Sequence, residues 1–385
     1  MERAELVALL RATGCAGELG GFIFLCDPKW GPGERDALTV AASHVAKHTS
    51  QVPLGWLCIP TGGTSGGVRF ARHDESTLSA AVAGFRAHFG FDQVNAVDVL
   101  PPFHVSGLMA RVRCAATGGQ HLAWDWKLLE AGELPKLSPT PDGWVISLVP
   151  TQLQRLLTSA RTLAWLREFR AIFIGGGPIW PALAAAAAQA KLPLSPSYGM
   201  TETAAMVAAL RPAEFLAGER SCGAALPHAR IAVNAEGVVT IAGDAVFRGY
   251  FPDMNGAREF VTEDLGRIDE RRRLHILGRR DAVIITGGKK VNPFEVEAVL
   301  RESGEFSDVA VIGCPDAEWG EVVVACYPLT DAAAPDVARA MEKLVAHQRP
   351  KRFVAIPDWP RNAQGKVNRL ALQQAVRGRA DRSSP

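Results

Sequence analysis

A run of ten residues with little side-chain bulk, Pro60-Thr61-Gly62-Gly63-Thr64-Ser65-Gly66-Gly67-Val68-Arg69, sits between two apolar segments. Residues 54–59 read as a buried strand and residues 68–72 as a second, so the run is a strand-to-strand turn. Glycines let backbone N–H groups close around an anion, the hydroxyls of Thr61, Thr64 and Ser65 add donors, and Arg69 adds a fixed positive charge. The turn is therefore a candidate cradle for a nucleotide's phosphates. It lacks the Gly-Lys-Ser/Thr ending that opens the helix of a P-loop, which argues against that class of ATPase. An ordinary hairpin turn has the same composition, so the rest of the chain must decide.

Helical spacing over residues 2–11 is followed by a short strand at 21–26 and a helix over 33–48 with Leu38, Ala41, Ala42 and Val45 as its apolar stripe. A helix over 75–89 opens at Asp74 as a cap, and strands at 96–100, 144–148 and 171–174 alternate with helices over 151–159 and 181–191. That alternation specifies α/β layers. In such sheets ligands bind beyond the carboxyl ends of the strands. His104, in Pro101-Pro102-Phe103-His104-Val105-Ser106-Gly107, has that position, as does Gly175-Gly176-Gly177-Pro178, where a flat ligand can approach bare backbone. For His104 a capped histidine in a turn is an equal reading. In Ser197-Tyr198-Gly199-Met200-Thr201-Glu202-Thr203 a tyrosine can stack on a base, a threonine can donate to a phosphate and a glutamate can hold Mg2+.

From residue 229 short alternating strands, 231–233 and 238–242, mark a small β subdomain. Asp264, within Thr262-Glu263-Asp264-Leu265-Gly266, is placed to hold a ribose diol. Gly278-Arg279-Arg280-Asp281 precedes a strand at 282–285, a turn Thr286-Gly287-Gly288-Lys289-Lys290 and a helix from Pro293. Strands at 309–313 and 322–327 and a helix over 336–347 complete an α+β unit, followed by a loop over 362–369 that bears Lys366 and a polar, unstructured tail over 378–385.

Composition narrows the function classes. The 385 residues fit two domains, with 48% hydrophobic and 21% charged residues in an ordinary globular balance. A net charge of +2 gives no reason to expect nucleic acid or an anionic membrane as partner. Seven cysteines, odd in number and without a CxxC pair, fit reduced thiols in a cytoplasmic protein without structural zinc. The first residues lack the basic start and apolar core of a signal peptide, and no apolar run is long enough to span a bilayer.

In order along the chain, the loop from Thr61 to Arg69, the His104 segment, Tyr198-Gly199-Met200-Thr201-Glu202, Asp264, Gly278-Arg279-Arg280-Asp281 with Gly287-Gly288-Lys289, and Gly365-Lys366 resemble the core motifs of the adenylate-forming superfamily of acyl-CoA synthetases, adenylation domains and luciferases. Phe103-His104-Val105-Ser106-Gly107-Leu108-Met109, Ser147-Leu148-Val149-Pro150-Thr151-Gln152-Leu153 and Gly176-Gly177-Pro178-Ile179-Trp180-Pro181 more particularly resemble the 2-succinylbenzoate–CoA ligases of the menaquinone and phylloquinone pathways. The resemblance implies a large α/β domain with a small β subdomain over residues 1–280 and a mobile α+β lid over 281–385. It implies ATP with Mg2+, a carboxylic acid and coenzyme A as the molecules bound, with adenylation preceding acyl transfer.

By the same resemblance Thr61, Gly62, Gly63, Thr64, Ser65, Gly66 and Arg69 face the pyrophosphate, and Glu202 holds Mg2+. Thr201 contacts the α-phosphate, and Lys366 bridges it to the carboxylate. Gly175, Gly176, Gly177, Tyr198 and Gly199 frame the adenine, while Asp264 and Arg279 take the ribose. Phe103, His104, Val105, Gly176 and Tyr198 line the acid pocket, with Arg111 and Arg155 as candidates for a second carboxylate. Asp281 is the hinge, and Gly287, Gly288 and Lys289 serve CoA, whose phosphates Arg280 and Lys290 are also placed to meet.

Three departures stand out. Val68-Arg69 replaces the family's Pro-Lys, Glu263 replaces a glycine before Asp264, and the part ahead of the loop must be reduced or rebuilt from about sixty residues. Within the superfamily the readings that stay open are a ligase for another aromatic or aliphatic acid, a ligase loading a carrier protein, and a homologue that binds nucleotide without turnover. A homodimer accords with the family, although no stripe in the sequence demands one.

Overall fold

Strands Asn95–Asp98, Trp144–Leu148 and Ala171–Ile174 are buried along nearly their whole length, as strands of a parallel sheet covered on both faces must be. They form the middle of a seven-stranded sheet. Its order is Ala224–Ala225, Ala205–Ala209, Leu194–Met200, Ala171–Ile174, Trp144–Leu148, Asn95–Asp98 and His121–Ala123. The last five run parallel, and Ala205–Ala209 turns back antiparallel on Leu194–Met200. The structure, a computed structural model, describes residues 1–45, 54–62, 68–254, 256, 258–329, 334–361 and 367–380.

The chain divides into two compact units, one of Met1–Ile179, Leu183–Thr262 and Arg267–His275, the other of Trp180–Ala182, Glu263–Gly266 and Ile276–Pro385. In the first, helices Glu75–Phe89 and Val105–Thr117 bury Phe85, Ala110 and Cys114 against Ala96, Val145 and Phe173 of the sheet. Asp74 accepts from Thr77 N at 3.1 Å to start the first of these helices, and Gly90, with φ of 68°, ends it. A second sheet has the order Ala16–Leu19, Phe22–Leu25, Leu57–Gly62, Val68–His73. Ahead of the glycine-rich turn stand helix Arg3–Arg11, the hairpin of the first two strands, and helix Pro32–Val45. Ala229–Val233 and Val238–Gly243 pair antiparallel in a third sheet, the β part expected from residue 229.

The second unit holds strands Ile284–Thr286, Lys289–Val291, Ala310–Asp316, Gly320–Pro328 and Arg352–Ile356. Helix Pro293–Glu302 lays Val296 and Leu300 on one face, against Val309, Val311 and Val323. Helix Arg369–Ala380 lays Leu372 and Val376 on the other, against Ile312, Val324 and Cys326. The alternation of Val311 with Ile312 and of Val323 with Val324 is the period-two pattern of a sheet covered on both sides.

Several expectations are corrected. The strand expected from residue 54 begins at Leu57, because Gly55 has a left-handed φ of 64° and the Leu54 and Gly55 carbonyls turn to accept from Arg72. The helix expected over 336–347 is only Val337–Ala340, followed by a turn and a 3-10 turn at Ala346–Gln348. There Arg349 Nε takes the Leu344 carbonyl at 2.9 Å, and Ala340 and Leu344 are both drawn into the core. The strand expected at 282–285 opens with a 3-10 turn, Arg280–Ala282, and runs from Ile284 to Thr286. The tail expected to lack structure from 378 is helical through Ala380, with residues 381–385 outside the described residues. Strands Ala16–Leu19 and His121–Ala123 and helices Trp126–Glu130 and Ala160–Leu166 were not expected.

Helix Val105–Thr117 reaches the strand end before it only because residue 107 has no side chain. A Cβ there would lie 2.4 Å from the Pro101 carbonyl oxygen and 2.7 Å from that of Leu100. Gly107→Ala should therefore lower unfolding free energy by about 1–3 kcal/mol, read from urea midpoints; an unchanged midpoint would show that the helix is not pinned by this contact.

Candidate active site

The carboxyl ends of the parallel strands bring most of the expected residues of the first unit to one edge. Asp98 leads to Pro101–His104, Ile174 to Gly175–Gly177, and Leu194–Met200 to the 3-10 turn Thr201–Thr203. His104 is the N-cap residue of helix Val105–Thr117, without a side-chain cap bond, and its ring is 4.6 Å from that of Phe103. Phe103 and Val105 are buried in a core with Leu78, Val82 and Met109. Gly176 has φ of 77° and both Gly176 and Gly177 are exposed, leaving their backbone accessible. Tyr198 is buried in its strand; a Cβ at Gly199 would lie 1.9 Å from the Ala205 carbonyl oxygen, so only glycine lets the hairpin close here.

The turn Thr201–Thr203 is held under strain. Ala204 and Ala205 have φ of 49° and 75°, left-handed conformations that cost roughly 1–2 kcal/mol each without glycine. The Thr203 hydroxyl braces the turn, 3.2 Å from Met200 N and 2.8 Å from the Ala205 carbonyl. The Thr201 carbonyl accepts from His73 Nε2 at 2.7 Å. A carbonyl cannot donate, so Nε2 carries the proton and Nδ1, 3.0 Å from Thr77 Oγ1, is the acceptor. Burial pushes His73 down to about 4, which keeps the ring neutral.

Glu202 is buried, and its Oε1 accepts from the Tyr250 hydroxyl at 2.6 Å. Burial, and then the charge of Glu202, hold the phenol well above its ordinary value, so Tyr250 remains a donor. The Arg69 guanidinium lies over the Tyr250 ring, 4.1 Å from its centre. Arg69, Tyr250 and Glu202 thus form one chain from the strand Val68–His73 to the turn Thr201–Thr203. Thr61 pairs with Arg69 and Gly62 with Val68 across the hairpin. The Thr61 hydroxyl is buried with no partner among the described residues. Gly63, Thr64, Ser65 and Gly66 lie outside the described residues, as does Lys366. An oriented carboxylate such as Glu202 is a hard oxygen donor that suits Mg2+.

In the second unit Arg279 grips Asp281 with two bonds, 2.8 and 2.6 Å, and reaches Asp264 at 3.4 Å. Arg280 pairs in the same two-pronged way with Glu263, at 2.9 and 2.8 Å. The carboxylate that replaces a glycine before Asp264 is thereby neutralised at the surface. Gly287 and Gly288 have φ of 53° and 73°; Gly287 N donates to the Trp319 carbonyl, and a Cβ at 287 would meet the Trp319 ring at 2.6 Å. Lys351 Nζ lies 4.2 Å from the centre of that ring, at the edge of a cleft of ≈ 400 Å³ lined by Asp316, Glu318, Trp319, Lys351 and Arg352. Lys289 and Lys290 are exposed.

Sequence reasoning missed His73, Tyr250 and Arg113. Arg113 is buried in helix Val105–Thr117, its guanidinium 4.1 Å from the Phe85 ring centre, with Nε and Nη2 unpartnered among the described residues. It lines a narrow cavity with Phe85, Val97, Val145, Ser147 and Phe173. Burial lowers its pKa to about 10, which leaves it charged near neutrality. The signal was available: Arg113 stands four residues after Met109, on the buried face of its helix. Of the two arginines singled out from sequence, Arg155 pairs with Glu130 at the surface and Arg111 lies 3.8 Å from Asp98, which also meets His121 at 3.0 Å.

A family model described as AMP-binding enzyme matches residues 57–251, and one described as AMP-binding enzyme C-terminal domain matches residues 295–366. A 2-succinylbenzoate–CoA ligase of Listeria monocytogenes serotype 4b (strain F2365) is 31% identical over 290 residues, which cover 71% of this chain and 60% of that protein. One from Enterococcus faecalis is 31% identical over 326 residues, covering 80% of this chain and 67% of that protein. The chain spans 60% of the length of the first of these relatives. The o-succinylbenzoate CoA synthetase of Bacillus subtilis, solved with its acyl-adenylate intermediate, shares the fold with a TM-score of 0.73 at 23% identity, over 97% of this chain and 81% of that one. Among the described residues no helix is long and apolar enough to cross a membrane.

Two buried histidines set a pH limit on the fold. His73 and His228 each fall from 6.5 to about 4 through burial. Below pH 6.5 the unfolded chain takes up protons that the folded chain refuses until about pH 4, so their contribution is complete above 6.5 and is lost as pH falls to 4. Unfolding free energy should drop by about 2 kcal/mol per histidine between pH 6.5 and 5. In His73→Phe the slope over that window should be shallower; an unaltered slope would contradict the assignment.

Proposed function

The chain belongs to the AMP-binding enzyme family, and from that membership we propose that it is an ATP-dependent acid–CoA ligase, most plainly for 2-succinylbenzoate. The observation that carries the reading is the chain Arg69–Tyr250–Glu202, which ties the glycine-rich hairpin to the strained turn Thr201–Thr203 at the carboxyl ends of the sheet. The names of the relatives support the choice of acid. The net charge of +2 and seven cysteines with no disulfide among them support small molecules as partners and a cytoplasmic setting.

A carboxylate is a poor acyl donor because the departing oxygen would carry a full charge. In the first half-reaction the acid's oxygen attacks the α-phosphorus in line and pyrophosphate leaves, so the protein must neutralise charge on both phosphate groups. The hairpin from Thr61 to Arg69 takes the pyrophosphate, with the buried Thr61 hydroxyl as one donor. Glu202 would hold the Mg2+ that accompanies ATP and offsets phosphate charge. The Tyr250 bond fixes the carboxylate's orientation, and the His73 bond fixes Thr201 for the α-phosphate. Exposed backbone at Gly176 and Gly177, with Tyr198 and Gly199, frames the adenine, and Asp264 with Arg279 takes the ribose. Lys366 supplies the cation that bridges carboxylate and α-phosphate.

In the second half-reaction the CoA sulfur attacks the acyl carbon, the bond to the AMP oxygen breaks, and the thiol proton is released. Rotation about Asp281 exchanges Lys366 for Gly287, Gly288 and Lys289. The cleft beside that turn, with Lys351 and Arg352, offers cations to the phosphates of CoA. His104, at the cap of its helix, serves the acid pocket.

Arg113 supplies what the sequence left unassigned. A buried guanidinium with two unpartnered nitrogens in a ring-lined cavity is costly unless a partner completes it, and in this reading the second carboxylate of an aryl dicarboxylic acid would do so. The cavity is tight in this structure, ≈ 10 Å³, about the space of one water, so entry of the acid requires local opening.

Incubation with ATP, Mg2+, CoA and 2-succinylbenzoate should give AMP and the CoA thioester by mass spectrometry, and Lys366→Ala should abolish both. Arg113→Met should raise KM for this acid by about 100-fold, the scale of a lost charge-assisted pair, while KM for ATP stays within about twofold. ATP binding without acid-dependent pyrophosphate exchange, over a panel of acids, would overturn the reading.

A further inference from the structure

The proposed chemistry asks one carboxylate, Glu202, to hold a metal ion, and a segment distant in the sequence grips that residue twice. Phe247 N donates to the Glu202 carbonyl at 2.8 Å, and the Tyr250 hydroxyl donates to its Oε1 at 2.6 Å. Both the main chain and the side chain of Glu202 are therefore set by residues three apart on one segment.

That segment is paired onto strand Val68–His73. Arg248 N donates to the Arg72 carbonyl at 2.8 Å, Arg72 N to the Gly249 carbonyl at 2.9 Å and Phe251 N to the Phe70 carbonyl at 2.8 Å. Ala71 and Tyr250 stand opposite each other in an antiparallel bridge. Arg69, two residues before Ala71, shares that face, which brings its guanidinium over the Tyr250 ring.

Two arginines that the proposed chemistry does not use clamp the ends of the segment. At one end Arg248 takes Asp74, itself 3% exposed, with bonds of 2.8 and 3.1 Å. At the other, Arg72 is 3% exposed, and its Nη1 donates to the carbonyls of Pro252 at 3.1 Å and Asp253 at 3.3 Å. Its Nε and Nη2 take the carbonyls of Gly55 at 3.1 Å and Leu54 at 2.5 Å, which ties the segment to the chain entering strand Leu57–Gly62.

Satisfying loop carbonyls accounts for some donor at this place, but not for a buried charge. A guanidinium desolvated among neutral carbonyls is unfavourable unless its bonds are well made, and apolar packing would often stabilise the site as well. What apolar packing cannot supply is direction. Charge-assisted bonds at both ends hold the segment to within hydrogen-bond tolerance, and the Tyr250 hydroxyl passes that constraint to one oxygen of Glu202.

We propose that Arg72 and Arg248 are positioning residues for the metal-holding carboxylate: by clamping the two ends of residues 248–253 they hold Tyr250, and through it Glu202, in the orientation that receives Mg2+ with the nucleotide. The inference rests on the ligase reading above and extends it, since it assigns metal affinity to side chains that act only through Tyr250.

The test is a binding measurement on the full chain. ATP affinity is measured by calorimetry in excess EDTA and in excess Mg2+ for the wild type, Arg72→Gln, Arg248→Gln, Arg248→Lys and Tyr250→Phe. The wild type should bind ATP more tightly with Mg2+. In the two glutamine variants and in Tyr250→Phe that gain should shrink about tenfold, the scale of losing a partner that orients a metal ligand, while Kd in EDTA stays within about threefold. Arg248→Lys should recover part of the gain. Arg248 is the partly exposed clamp and Tyr250→Phe removes only a hydroxyl, so these variants remain informative where Arg72→Gln fails to fold. A gain that survives in the variants, an equal loss of affinity in both media, or a wild type with no gain would overturn the inference. A wild type that binds no ATP in either medium would instead overturn the ligase reading beneath it.

Discussion

The site in the first unit depends on a neutral imidazole held out of water. His73 ends the strand Val68–His73, and its bond to the Thr201 carbonyl fixes a turn that two left-handed alanines hold under strain. Its neighbours in the strand perform the same service for other segments. Arg69 lies over Tyr250, which orients Glu202; Arg72 donates to the carbonyls of Leu54, Gly55, Pro252 and Asp253. The next residue, Asp74, caps helix Glu75–Phe89 and takes Arg248 at 2.8 and 3.1 Å. One edge of one sheet therefore registers the phosphate hairpin, the segment around Tyr250 and the turn Thr201–Thr203 against each other. A mechanism that needs cations on one phosphate and a carboxylate near the next needs that registration more than it needs any single contact.

Charge is shared rather than isolated in the second unit. Arg279 gives its short, paired bonds to Asp281 and only a 3.4 Å contact to Asp264. In the proposed cycle Asp281 is the hinge and Asp264 holds the ribose, so a backbone change at the hinge redistributes one guanidinium between them. The Glu263–Arg280 pair beside them is half-exposed and screened, and it carries little energy.

The layers and the motif order were legible because they rest on local rules: apolar period in the strands, Asp74 before its helix, glycine where backbone must approach backbone, as at Gly107 and Gly199. Boundaries failed where tertiary packing overrode local period, as where the chain past Val337–Ala340 turns instead of continuing as helix and still buries Leu344 with Ala340. The positions of His104, Gly176, Thr201 and Glu202 at one edge followed from strand ends. Tyr250 and His73 did not, because their partners stand 48 and 128 residues away, and no local pattern announces such a pair. Arg113 was legible in principle. A cation on an apolar helix face is visible in the sequence, whereas its lack of a partner is visible only in the fold.

That last distinction separates two uses of buried charge in this chain. Arg72 and Arg301 are surrounded by carbonyls or carboxylates, and each spends its donors on fixing backbone or rigid elements. Arg113 has an aromatic ring beneath it and two nitrogens with no partner among the described residues. A compensated charge is explained by the fold that compensates it. An uncompensated one is destabilising in the empty protein, and an apolar side chain of similar length would remove that burden. Its place in the wall of a cavity is the ground on which Arg113 is proposed above to meet the acid's second carboxylate.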